Sequence, residues 1–234
     1  MKKVIGAILL VLLATTAAIL PWRELWSAAQ FVIAPEVAKT AHMVRLRNAE
    51  RQALTVIGTV HYRHIETTSY PLWELKAILA TLKPTMVFVE ERPESIAAGA
   101  WGEGPVEMPF CAFVAKEMGI AVRGMDDWSQ DFSTREDKMV VNVLDHLPAT
   151  GDAVVMTGYS HVPGFTARLT RRGFVLDEWS EDERRTALKT TVEHTYPPGL
   201  RAAYLTAIEL AEAAKGPFDA GWAARRRPFV ATIP

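Results

Sequence analysis

Cysteine is almost missing from this chain. Cys111 is the only one among 234 residues, so no intramolecular disulfide can form. A disulfide scaffold and a cysteine-based zinc knuckle are both excluded. A surplus of either charge is missing too, with 26 Lys and Arg against 27 Asp and Glu. That balance provides no basic field for nucleic acid, and no nucleic-acid partner is expected. Arg225, Arg226 and Arg227 form the one dense positive cluster. In a polar tail such a run is usually a solvated face. What is plentiful is apolar residues, at 49% of the chain, which suits a globular body rather than a disordered one. The length suits one domain with a full-sized core, or two small similar halves packed together.

The N-terminus has its own pattern. Lys2 and Lys3 precede an uncharged, mostly apolar run from Val4 to Leu20, followed by Pro21, Trp22 and Arg23. A basic start followed by an apolar stretch has the order of a secretory signal. The same run is just long enough to span a bilayer core of about 30 Å, with Trp22 and Trp26 suited to the far interface. Ser27 and Ala29 would permit cleavage after Ala29, although Arg23 and Glu24 lie close by. No cysteine follows the run to carry a lipid. Residues 1–29 are therefore expected to be a signal peptide or membrane anchor, and 30–234 a single exported domain.

Within that domain, 30–52 is expected to connect to a first strand, Leu54 to Val60, which is β-branched and almost continuously apolar. Leu72, Leu75, Ile78, Leu79 and Leu82 recur at helical spacing, and Pro84 stops that helix. Residues 85–90 form a second strand, making a strand–helix–strand unit with a parallel pair. Glycines place a loop over 94–108. A helix follows at about 108–118, then a strand ending at Asp126 and a polar helix at about 134–147. The strand DAVVMTG leads to Gly158-Tyr159-Ser160-His161, then a helix over 162–172 and a final strand, FVLDEW. Leu200, Tyr204, Ile208 and Ala211 mark one face of a closing helix. The expected fold is α/β, a mixed, largely parallel sheet flanked by helices. An approximate repeat of strand, G-x-x-H, helix and strand duplicates its core.

His61, Glu90, Asp126 and His161 each fall at or just past the C-terminal end of an expected strand. In an open, largely parallel sheet that edge is where ligands bind, so residues distant in sequence can meet there. Imidazoles and carboxylates together make divalent-metal or acid–base sites. Gly58 and Gly158, three residues before each histidine, would let the chain turn and bring backbone close to a ligand. Ordinary structural roles compete at each position. A strand-end histidine is often structural, Glu90 could pair with Arg92 or Arg123, and Asp126 could cap a turn. His64 forms H-x-x-H with His61, a weak metal signal.

VIGTVHYRH at 56–64, VFVEERP at 87–93 and VVMTGYSHVPG at 154–164 resemble the TraB/GumN/Tiki family. That family sits in a wider group with erythromycin esterases and ChaN-like haem-binding proteins. Its motifs match Gly58, His61, Glu90, Gly158 and His161, with Arg92 also near a matching place. The resemblance spans residues 54 to about 176. It implies a duplicated α/β core and, in the Tiki branch, a divalent-metal-dependent peptidase. Glu90 and Glu91 must point to opposite faces, and Glu90, directly after the apolar run, is the one expected in the site.

The leading expectation is an exported or membrane-anchored hydrolase acting on a peptide or small-molecule substrate. A divalent metal held by His61, Glu90 and His161 would activate water, with Asp126 or Glu107 as general base. A haem- or metal-binding protein using the same histidines with Tyr62 or Tyr159 is the second reading. Metal-free acid–base hydrolysis, which the esterase branch would imply, is the third.

Overall fold

The computed structural model describes residues 43–50, 52–66, 70–99, 104–128, 132–214 and 217–234. The expected signal or anchor, 1–29, lies outside the described residues. Among those described, no helix is long and apolar enough to cross a membrane.

Among the described residues, six strands form one sheet in the order β4-β3-β5-β2-β1-β6. They are β1 (Met43–Arg47), β2 (Ala53–Thr59), β3 (Met86–Val89), β4 (Ala121–Gly124), β5 (Ala153–Gly158) and β6 (Val175–Leu176). β2, β3, β4 and β5 run parallel, while β1 pairs antiparallel with β2 and with β6. The sheet is thus mixed and largely parallel, as its apolar strand sequences predict. Every residue of β2 and β5 is buried, which only a sheet covered on both faces allows.

Nine helices among the described residues complete the chain. They are α1 (Arg63–Glu66), α2 (Leu72–Leu82), α3 (Pro93–Ala98), α4 (Glu107–Glu117), α5 (Phe132–Asp145), α6 (Val162–Arg171), α7 (Glu181–Lys189), α8 (Leu200–Ala214) and α9 (Pro217–Thr232). Two apolar clusters show the layering. Val87, Val89, Val154 and Met156 pack on one face with residues of α2, α4, α8 and α9. Phe88, Val155 and Ala153 pack on the other with Met139, Val143, Phe165 and Leu169 of α5 and α6. The period-2 alternation along β3 and β5 sends neighbouring side chains to opposite layers.

Several expectations need correction. Residues 30–52 are not merely a connection, because Met43–Arg47 adds an antiparallel strand. The 94–108 loop contains α3, begun by Pro93 at a first-turn position and closed by Gly99 in a left-handed conformation. FVLDEW contributes only two strand residues. Ser180 and Glu183 form a reciprocal capping box that starts α7, a helix the apolar pattern did not reveal. The basic tail is helix α9, and Arg226 in it is 1% exposed rather than solvated. Its guanidinium lies 3.5 Å from the Trp222 ring and donates to the Gly104 carbonyl.

The two strand–helix–strand units are present, but β2 and β3 are not neighbours. β5 lies between them and pairs with both. Thr59 is level with Gly158, and Val89 with Met156. That insertion brings the end of β5 between the ends of β2 and β3.

Candidate functional site: two histidine–carboxylate pairs around Glu90

The chain leaves β2 through His61, which adopts φ 52°, a left-handed conformation that histidine enters more readily than most residues. Such a backbone costs on the order of 1–3 kcal/mol and persists where surrounding contacts hold it. Here Glu107, at the start of α4, accepts a hydrogen bond from His61 Nδ1 at 2.8 Å. The ring's other side lies over Gly158. A Cβ on that glycine would come within 2.9 Å of His61 Nε2 and 3.6 Å of Glu90 Oε2. Gly158 itself has an ordinary φ of −55°. Its role is to make room for the imidazole, not to provide a special turn. Gly58 lies inside β2, where its carbonyl accepts from the Tyr70 hydroxyl at 3.2 Å. Neither glycine provides the turn expected of it.

Glu90 follows β3 on the face of Phe88 and is 2% exposed. Its Oε2 accepts from Gly158 N at 2.7 Å and Thr157 Oγ1 at 2.9 Å, and its Oε1 from Arg135 at 2.7 Å. Glu91 takes the opposite direction, where its Oε1 accepts from Gly104 N at 2.8 Å. Strand alternation thus places Glu90, and not Glu91, beside the histidines.

His161 ends a single 3-10 turn after β5 and is 3% exposed. Its Nδ1 donates to Glu136 Oε1 at 3.0 Å, and its Nε2 lies 3.9 Å from Glu90 Oε1. Glu136 also accepts from Arg168 at 2.6 Å. Its carboxylate rests on Gly164, where a Cβ would come within 2.1 Å of Oε2. Both histidines therefore present Nδ1 to a carboxylate, and Glu90 lies among them.

Asp126 reaches this edge in a different role. It grips Arg135 Nε at 3.0 Å from both carboxylate oxygens, and also accepts from Arg135 Nη2 and from Trp128 N. Asp126 thus holds the guanidinium that Glu90 shares. His64 is not in the site. Its Nε2 accepts from Val60 N at 2.9 Å and its Nδ1 donates to the Tyr70 carbonyl at 2.7 Å. Both ring nitrogens are used, so the H-x-x-H pair is structural.

The electrostatics follow from this packing. Burial pushes the His61 pKa down, but Glu107 and then Glu90 push harder, and the net shift is upward from 6.5. Burial would raise Glu107, yet His61 and then His64 pull it down to about 2. Glu90 is likewise held below its ordinary value despite burial, by His161, Arg135 and His61 in turn. His64, with burial dominant, is lowered and stays neutral.

A divalent ion would find suitable imidazoles here, since metal-bound histidines commonly give their second nitrogen to a carboxylate. The remaining donors do not fit. Both Glu90 oxygens carry N–H or O–H donors, and Arg135 places a fixed positive charge against the carboxylate. Both carboxylates expected to act as base are engaged, Asp126 by Arg135 and Glu107 by His61. Among the described residues, no three His, Cys, Asp or Glu side chains are gathered to clasp a metal.

Arg135 and Glu136 are the site residues the sequence did not reveal. They sit in the first turns of a polar amphipathic helix, where charges are ordinary. One signal was available: Gly164, in the first turn of α6, marks a close neighbour. Compared with family models, curated proteins and solved structures, the chain matches none of them.

Proposed function

We propose that this protein is a hydrolase of peptide, amide or ester bonds that uses His61 as general base. The observation that carries the reading is the His61–Glu107 pair, a base oriented by a buried carboxylate and 28% exposed at the strand-end edge. With Nδ1–H committed to Glu107, Nε2 is the nitrogen that can take a proton. Water gives that proton to Nε2 as its oxygen bonds to the scissile carbonyl carbon. When the carbon–heteroatom bond breaks, the same proton passes to the leaving group. Glu107 and Glu90 stabilise the imidazolium that exists between these steps, as the direction of the His61 shift requires. His161 and then Arg135 help to keep Glu90 ionised. The TraB/GumN/Tiki resemblance and its esterase relatives support the same reaction class.

A metal-dependent form of the reaction is a second reading, favoured by the carboxylate on Nδ1 of each histidine. A bound cation would lower the pKa of water and polarise the carbonyl. The His61 base, oriented by Glu107, needs no such ion.

The test is turnover of a panel of peptides, amides and esters by the purified full chain, with elemental analysis and with EDTA. Turnover that survives EDTA and is lost in His61→Ala supports the His61 base. Turnover abolished by EDTA and restored by a divalent ion selects the metal reading. Haem or metal bound with no turnover makes the chain a binding protein. An exported location is part of the proposal. A reporter fused after Pro234 that works only in the cytoplasm would overturn it.

A further inference from the structure

One residue beyond His61 the character of the surface changes. A cleft of about 680 Å³ opens between α1, the start of α2 and α9. That volume is within the range of sites for small organic ligands. Tyr62, Trp73, Tyr196 and Phe229 wall it with aromatic rings. These rings hold one another in place. Trp73 and Tyr196 have centroids 4.8 Å apart, and Tyr196 and Phe229 6.1 Å. Phe110, beneath them, meets Trp73 edge-on at 5.6 Å. The wall is therefore built by packing, at the geometry aromatic pairs prefer.

The cleft has little to offer a charged ligand. Its charged lining side chains are Glu66 and Arg225, one of each sign and both exposed. Arg225 stands 5.9 Å over the Tyr62 ring. His64 contributes no hydrogen-bonding nitrogen, because Val60 and Tyr70 use both. An aromatic wall with cancelling charges favours uncharged, apolar groups, since a charged one would lose hydration without a matching partner.

We propose that this cleft is a substrate subsite that receives an uncharged aromatic or large apolar group lying next to the scissile bond. The subsite role rests on the hydrolase reading above, whereas the cleft's ligand preference is a separate matter of binding. Tyr62 links the two. It follows His61 directly, with Cα atoms about 3.8 Å apart, so the lining of the cleft starts at the residue after the proposed base. A peptide or ester with a bulky apolar residue on that side would reach both. A substrate with a small or charged residue there would reach only His61.

The experiment measures binding separately from turnover. The full chain is titrated with N-acetylphenylalanine amide and with the matching alanine, glutamate and lysine amides, followed by saturation-transfer NMR. The phenylalanine amide should bind at least tenfold more tightly than the other three. Thr232→Trp, from an exposed rim position, should fill the cleft and weaken that binding tenfold or more. Glu66→Gln should leave it within twofold. His61→Ala should retain it, since the cleft does not use that imidazole. The subsite is overturned if the four amides bind alike, if a charged amide binds best, or if Thr232→Trp changes nothing. Phenylalanine-amide binding at the cleft with no bond cleaved in any substrate upholds the ligand preference and removes the hydrolase reading. Cleavage without preference for apolar substrates does the reverse.

Discussion

Replacing Glu107 with glutamine changes one charge and almost no volume, at a side chain that is fully buried. In the native chain Glu107 Oε1 sits 2.8 Å from His61 Nδ1 and fixes the proton there. A glutamine can turn either its oxygen or its NH2 toward that nitrogen. The second choice puts the proton on Nε2 and removes the base. Loss of orientation and charge together should lower turnover by about 10²–10⁴-fold, the range for a lost general base or a wrong tautomer. The His61 titration should move as well. Without Glu107 the dominant remaining influence is burial, so the midpoint should fall below 6.5, whereas in the native chain it lies above. Native activity should accordingly rise with pH through that elevated midpoint.

Stability gives a second readout with a defined sign. Glu107 is depressed from 4.5 to about 2, so its contribution is present above about 4.5 and lost as pH falls through about 2. His61 is raised, so its contribution is full below 6.5 and lost as pH rises through its elevated midpoint. The two describe one interaction, counted once, of on the order of 3 kcal/mol. It is complete between about pH 4.5 and 6.5. Urea unfolding of native and variant chains should differ most in that window and least at pH 9. Histidine-labelled NMR on chelator-treated protein reads the midpoint directly. A variant that folds, turns over within threefold of the native rate and titrates His61 above 6.5 would refute the dyad.

Three further perturbations follow. Gly158→Ala places a methyl within 2.9 Å of His61 Nε2, so the ring must move. Activity should fall at least about 100-fold with an unchanged circular dichroism spectrum, because misplacement of about 1 Å has that cost. His64→Ala strands the part-buried Val60 N–H and the buried Tyr70 carbonyl. It should lower stability by roughly 3 kcal/mol while the remaining folded fraction keeps its specific activity, checked by denaturant titration. Arg135→Lys cannot span Glu90 and the two-oxygen grip on Asp126 with one ammonium. Turnover should drop about tenfold or more with the fold kept, and an unchanged rate would remove Arg135 from the site.

The sheet was legible because its central strands are buried on both sides and read as continuous apolar runs, as in LTVIGT and AVVMTG. Glu90, His61 and His161 were legible because each lies at or just past the end of such a run. The strand order was not, since nothing in a run of valines says that β5 inserts between β2 and β3. β1 escaped notice for a related reason. MVRLR has only two buried residues, so its pattern resembles a connection. Arg226 misled because a charge run usually faces water, whereas here one member of three stacks on Trp222 and reaches the Gly104 carbonyl. His64 and His61 have identical side chains three residues apart. Only the neighbouring backbone groups, which sequence spacing does not report, make one structural and leave the other at the edge.

The two G-x-x-H turns look equivalent in sequence, yet their physical settings assign them different work. His61 is 28% exposed at its side chain, held in a left-handed backbone, and lies over a glycine that leaves space for its ring. His161 is 4% exposed at its side chain, follows a relaxed turn with φ −86°, and is bonded to a carboxylate that Arg168 also grips. A proton that must reach substrate can leave the first ring and has no open route from the second. His161 therefore acts on Glu90, helping to keep it ionised, while His61 stands partly exposed at the strand-end edge. In the proposed reaction the first imidazole would serve as an exposed base and the second as a buried support, and the difference comes from what packs beside each ring. His161→Gln should then reduce turnover only in part, because Glu90 keeps its bonds to Arg135, Thr157 and Gly158 N. His61→Gln should abolish it. Equal losses in both variants would mean that the two imidazoles act as one unit, and that this division of roles is wrong.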